Sequence, residues 1–141
     1  MRFQFRLEKI LNLVRLKETM MQMELSAVVQ RVEFLKRRRK DLELEVLKLL
    51  EKTDSNISLD WYQFQIMKVE LDVKEQRKVD GMIDEVTEEL LQKQKALNEI
   101  TLKKKSLERI KEKNLTEFKL EQSRRVQKQL DEIYQLTKER M

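Results

Sequence analysis

Leu7, Val14, Met21, Val28, Leu35, Leu42 and Leu49 stand seven residues apart, and every one is apolar. An interleaved set, Leu11, Glu18, Leu25, Val32, Arg39 and Val46, follows each by four residues and is apolar at four of its six places. A 3-4 spacing held over more than six heptads demands a helix with one apolar stripe, because only a 3.6-residue turn brings those positions onto one face. The spacing predicts a helix over about residues 5–52. Its seam is Leu7, Leu11, Val14, Met21, Leu25, Val28, Val32, Leu35, Leu42, Val46 and Leu49.

The repeat stops at Thr53-Asp54-Ser55-Asn56-Ile57-Ser58, the one cluster of residues whose short side chains hydrogen-bond the backbone. A turn is expected over about residues 53–58, with Ser58 as the N-cap of the next helix. That second helix runs over about residues 59–139, its seam starting with Leu59, Tyr62, Ile66, Val69 and Val73. Register is lost between Gln76 and Asp80 and resumes as Val79, Ile83, Val86, Leu90, Leu97, Ile100 and Leu107, a stutter that fits either a kink near residues 80–81, at Gly81, or a local change of supercoil. Beyond Leu107 the apolar positions, Leu115, Phe118, Val126, Leu130 and Ile133, loosen into a 3-4-4 spacing.

Two such helices zipped along one seam make an all-α fold, a long antiparallel two-helix coiled-coil hairpin forming a single domain over residues 1–141. Composition agrees: 40% of the residues are charged, 74 of the 141 are Ala, Glu, Lys, Leu or Arg, and there is one glycine and no proline. The chain has few places to bend. A tight hairpin leaves about 30 residues of the second helix uncovered; the alternative folds residues 58–80 aside so that the termini meet. Charge favours the tight form. Residues 1–52 hold 13 basic and 8 acidic side chains, residues 58–100 hold 6 and 10, and residues 101–141 hold 12 and 7. Only the tight hairpin brings Arg37, Arg38, Arg39 and Lys40 near Glu70, Asp72 and Glu75.

The chemistry of catalysis is thin. There is no histidine, no cysteine and no run of glycines able to cradle a phosphate. Asp84-Glu85 and Glu88-Glu89 fit a solvated helix face. No enzymatic activity, cofactor or metal site is expected, and the absence of cysteine gives no sign of an oxidising compartment. The opening residues lack the apolar core and cleavage site of a signal peptide, and no stretch reaches the roughly 20 apolar residues that cross a bilayer. A cytoplasmic location is the expectation.

What remains is binding. Trp61, Phe64, Met67 and Leu71 form a second stripe at 3-3-4 spacing, on a face that the partner helix does not cover. Trp61 and Phe64 either fold back over the turn or pack on Leu47 and Leu50, or they make a docking surface. The basic runs Arg37–Lys40, Lys103–Lys105 and Arg124–Arg125 invite a nucleic-acid reading, but no aromatic platform or zinc spacing accompanies them. The seven methionines fit gap filling better than an adaptable surface.

Phe5-Arg6-Leu7-Glu8-Lys9-Ile10-Leu11-Asn12-Leu13 at the start and Trp61-Tyr62-Gln63-Phe64 after the break are followed by Leu107-Glu108-Arg109-Ile110-Lys111-Glu112-Lys113 and Gln127-Lys128-Gln129-Leu130-Asp131-Glu132-Ile133. Together these resemble the flagellar export protein FliJ family along nearly the whole chain. The resemblance implies a cytoplasmic hairpin, similar to the stalk (gamma) subunit of rotary ATPases and peripheral to the inner face of the cell membrane. Such a protein sits in the ring of the export ATPase FliI and promotes its assembly. It also contacts the export gate FlhA and helps to cycle export chaperones. The implied gate surface is Trp61, Tyr62, Gln63, Phe64, Met67, Val69 and Leu71. In the family's Tyr-Gln-Gln-Phe pattern Tyr62 and Gln63 match, Gln65 takes the phenylalanine's place with Phe64 one position early, and Val69 stands where a leucine follows. The implied ring surface is Leu115, Phe118, Leu120, Val126, Leu130 and Ile133. Three other readings stay open: the equivalent stalk of a virulence-type secretion system or vacuolar-type rotary ATPase, a basic nucleic-acid-binding coiled coil, and a self-associating scaffold.

Overall fold

The computed structural model describes residues 2–51 and 58–140. They form two helices, α1 (Glu8–Glu51) and α2 (Leu59–Glu139), packed antiparallel. Of the turn expected over residues 53–58, only Ser58 lies among the described residues. Its side chain caps α2: the Trp61 amide donates to Ser58 Oγ at 3.3 Å while the Tyr62 amide reaches the Ser58 carbonyl at 3.0 Å. The first of these satisfies an orphan donor of the opening turn, and the second is the first intrahelical bond. α1 starts three residues later than the repeat alone indicates. Phe5 to Leu7 form a turn instead, closed by the Glu8 amide on the Phe5 carbonyl, with Phe5 buried beneath it.

The chain divides into two compact units, Met20–Leu97 and Met1–Thr19 with Asn98–Met141. In the first, Val28, Val32 and Leu42 of α1 are buried along the predicted stripe, with Met21, Leu25, Leu35, Val46 and Leu49 half-buried. Each residue buried as completely as Val28 or Leu42 contributes about 1.5–3 kcal/mol. Ion pairs fix the register: Lys93 to Glu24 at 3.6 Å, Arg31 to Glu89 at 2.8 Å, Arg38 to Glu75 at 3.1 Å and Lys68 to Glu45 at 3.5 Å. The Arg38–Glu75 pair belongs to the tight hairpin. Arg39, the charged interruption of the heptads, lies half-buried in the seam, between Asp80 at 2.8 Å and Glu43 at 3.8 Å.

The α2 side of this seam departs from the reading of the apolar residues. Leu59, Tyr62 and Ile66 do not form it: Tyr62 is 47% exposed, Ile66 43% and Leu59 71%. The inward positions are Gln65, Val69, Asp72, Gln76, Val79, Ile83, Val86, Leu90, Lys93 and Leu97, an unbroken 3-4 spacing with Val73 half-buried beside it. Register is therefore not lost between Gln76 and Asp80, and α2 is helical through Gly81. The apparent slip arose because the true register passes through polar side chains that an apolar count skips.

In the second unit, Leu11 of α1 is fully buried and Ile100 of α2 nearly so, with Leu7, Val14 and Leu107 half-buried. Glu18, the other charged heptad position, is buried and accepts a 2.8 Å hydrogen bond from Lys104 Nζ. That bond is the main reason its carboxyl is held below the ordinary value of 4.5. Lys111 reaches Glu8 at 2.9 Å and Arg15 reaches Glu108 at 3.4 Å. Coverage of α2 ends where the Phe3 ring tilts against that of Phe118, centroids 5.5 Å apart.

Candidate docking surfaces

The first surface is built by the opening turns of α2, within unit Met20–Leu97. With Ser58 fixing the start, three- and four-residue steps carry Trp61, Phe64, Met67 and Leu71 along one outward face, each about half exposed. The Trp61 and Phe64 rings stack on each other, centroids 5.7 Å apart and 27° between planes. They are held by one another and remain open to solvent, an offset aromatic pair of the kind that anchors interfaces.

Tyr62 and Ile66 face a different way. With Leu49, Leu50, Gln65, Val69 and Glu70 they line a cleft of about 190 Å³ between the helices. Gln65 is 3% exposed, and its Nε2 donates to the Leu49 carbonyl at 3.0 Å. Leu49 lies in the last turn of α1, where carbonyls lack a helical partner, so this buried amide acts as a C-terminal cap supplied by the other helix. Of the residues implied as a gate surface, Trp61, Phe64, Met67 and Leu71 share the outer stripe. Tyr62 and Val69 belong to the cleft instead, and Gln63 is exposed.

One turn further on, Asp72 is 5% exposed in the seam, with Lys68 Nζ 4.0 Å from Oδ1 and no hydrogen-bond partner for Oδ2 among the described residues. Burial pushes its carboxyl above the ordinary value of 3.8; Glu45 and Glu75 add to the rise, while Lys68 and Arg38 oppose it. The shift has a structural cause. A groove beside Asp72 is lined by Leu35, Leu71, Val79 and Met82 with Lys74 and Lys78 at its rim.

The second surface belongs to the other unit. Leu115 is half-buried, and Phe118 is half-buried against Phe3, so these two of the implied ring-contacting residues already have neighbours in the chain. Leu120, Val126, Leu130 and Ile133 are more than half exposed, as are Tyr134 and Leu136, which the sequence reading did not single out. Every residue from Ser123 to Arg140 is exposed. The tail is held as helix by its own hydrogen bonds and by pairs such as Arg125 with Glu121 at 2.9 Å.

The basic runs are partly spoken for. Arg38, Arg39 and Lys104 all point at carboxylates of the opposite helix. Among the described residues no helix is long and apolar enough to cross a membrane, and no group of three His, Cys, Asp or Glu residues is placed to hold a metal ion. Comparison with models of known protein families, with curated proteins and with solved structures returns no match.

Proposed function

We propose that this chain is a non-enzymatic stalk and docking subunit of a flagellar-type protein export machine, working in the cytoplasm at the inner face of the cell membrane. One observation carries the reading: α2 continues as a bare helix from Ser123 onward, with Val126, Leu130 and Ile133 52%, 56% and 60% exposed. A single helix with that much uncovered apolar surface is suited to entering a receptor. The pore of the export ATPase ring is the receptor that the resemblance to the FliJ family supplies.

Differential packing is the mechanism. A helix touching nonequivalent subunits of a ring stabilises the assembled form over free subunits by mass action, and it biases the ring toward whichever conformation it packs against best. The stacked Trp61–Phe64 stripe is free to meet the export gate or a chaperone at the same time. The engagement of Arg38, Arg39 and Lys104 within the hairpin leaves the nucleic-acid reading with less to stand on.

The test mixes the purified chain with the export ATPase and follows ring assembly and ATP hydrolysis. Both should rise with the native chain and fall back to the unassisted level with Leu130→Asp/Ile133→Asp, helicity by circular dichroism being unchanged. No response to the native chain would refute the stalk role.

A further inference from the structure

Gly81 is the chain's single glycine, and the hairpin gives no reason for it. It sits exposed in the interior of α2, where glycine weakens a helix relative to alanine. A Cβ at this position would meet nothing within 4 Å, and among the described residues none has the positive φ that would require glycine. Neither crowding nor backbone geometry within this chain accounts for the missing side chain.

The charges around it are antisymmetric. Lys74, Arg77 and Lys78 stand seven, four and three residues before Gly81; Asp84, Glu85 and Glu88 stand three, four and seven after it. Those offsets are one and two helical turns, so all six lie on the glycine's face. All six are exposed, and among the described residues none has an ion-pair or hydrogen-bond partner. Within each cluster the one-turn neighbours carry like charge, Lys74 with Lys78 and Asp84 with Glu88, which weakens the helix that carries them.

We propose that Gly81 is the crossing point of an antiparallel dimer of this chain. A second copy reversed about Gly81 sets Lys74 opposite Glu88, and Arg77 with Lys78 opposite Asp84 and Glu85, and two-fold symmetry repeats each match. A parallel copy in the same register would oppose like charges, so the pattern selects the direction. Absence of a side chain lets the two backbones approach at the axis, where the half-exposed Met82 of each copy fills the space over the other's glycine. The contact is mostly ionic, and it is therefore weak and sensitive to salt.

Sedimentation equilibrium of the full chain tests this at about 50 mM and about 500 mM salt. A dimer is expected at low salt, with a dissociation constant raised at least tenfold at high salt. Lys74→Glu/Arg77→Glu/Lys78→Glu and Asp84→Lys/Glu85→Lys/Glu88→Lys should each be monomeric alone and form a heterodimer when mixed. The chain with all six charges exchanged should dimerise again, and Gly81→Leu should weaken the native dimer about tenfold without loss of helicity. A monomer at every concentration overturns the proposal, as does a dimer that survives both triple variants or variants that fail to pair on mixing.

Discussion

From Trp61 to Gln76, α2 is largely polar toward α1 and apolar toward solvent; from Val79 to Leu97 it is the other way round. In the first stretch Gln65, Asp72 and Gln76 share the inward face with Val69 and Val73, while Trp61, Phe64, Met67 and Leu71 look outward. In the second, Val79, Ile83, Val86, Leu90 and Leu97 face α1, and Met82 and Leu91 are the exposed large apolar residues on an otherwise polar outer face. A helix normally hides its apolar stripe and solvates the rest. The second stretch obeys that rule and holds the hairpin shut. The first leaves much of its apolar surface exposed, and it retains two buried oxygens, Gln65 Oε1 and Asp72 Oδ2, with no hydrogen-bond partner among the described residues.

The largest effect should come from carrying the polar seam into the apolar one. Val79→Asp puts an unpaired charge at a position 5% exposed and should cost about 3–5 kcal/mol in denaturant unfolding, whereas Val69→Asp, on the cleft, should cost less than half as much. Equal costs would erase the distinction between the stretches.

The reverse exchange should help. Asp72→Leu removes a carboxylate that burial disfavours and should stabilise the fold at neutral pH by about 1 kcal/mol. The folded-state pKa of Asp72 is raised, so its relative contribution is favourable below 3.8 and is lost as pH rises through the folded value. The gain from Asp72→Leu should accordingly shrink in acid. Glu18, in the other unit, has the opposite sign: its pKa is lowered by Lys104, so its contribution is present above 4.5 and fades as pH falls. Glu18→Gln should thus lower the unfolding midpoint at neutral pH and have no effect in strong acid. Parallel pH profiles for the two variants would contradict this assignment.

The smallest effect is expected on the outer stripe. Trp61→Asp or Phe64→Asp should change stability by about 0.5 kcal/mol or less, since both rings are half exposed and lean on each other. Gate or chaperone binding should be lost all the same. A marked loss of helicity would return these rings to the core and remove the contrast with Val79–Leu97.

The seam of α1 was legible because an apolar period of seven repeats there with only Glu18 and Arg39 as interruptions, and both turn out to be inward residues with partners on α2. On α2 the same counting failed between Leu59 and Val73, for a definite reason. Of the apolar residues read as seam there, Val69 and Val73 do face inward, but Leu59, Tyr62 and Ile66 do not, and the inward positions between are held by an amide that caps Leu49 and a carboxylate near Lys68. Neither partnership has a signature in a hydropathy pattern. The outer stripe itself was visible as a second apolar spacing, but the Trp61–Phe64 stack was not, because ring orientation is decided by side-chain packing. The stutter read next to Gly81 came from the same skipped polar positions, and α2 is helical on both sides of that glycine. Phe3 escaped notice, and Phe5 was read as helix rather than as the buried ring of the turn before it, since neither belongs to the repeat.

The ring contact between Phe3 and Phe118 acts as a ruler. It sets the point at which α2 emerges from cover, and so how far the free tail reaches. Moving the aromatic of α2 by one heptad would lengthen or shorten that reach by about 10 Å, roughly two turns. The depth of insertion into any receptor is thus written at the opposite end of the sequence from the residues that would touch it.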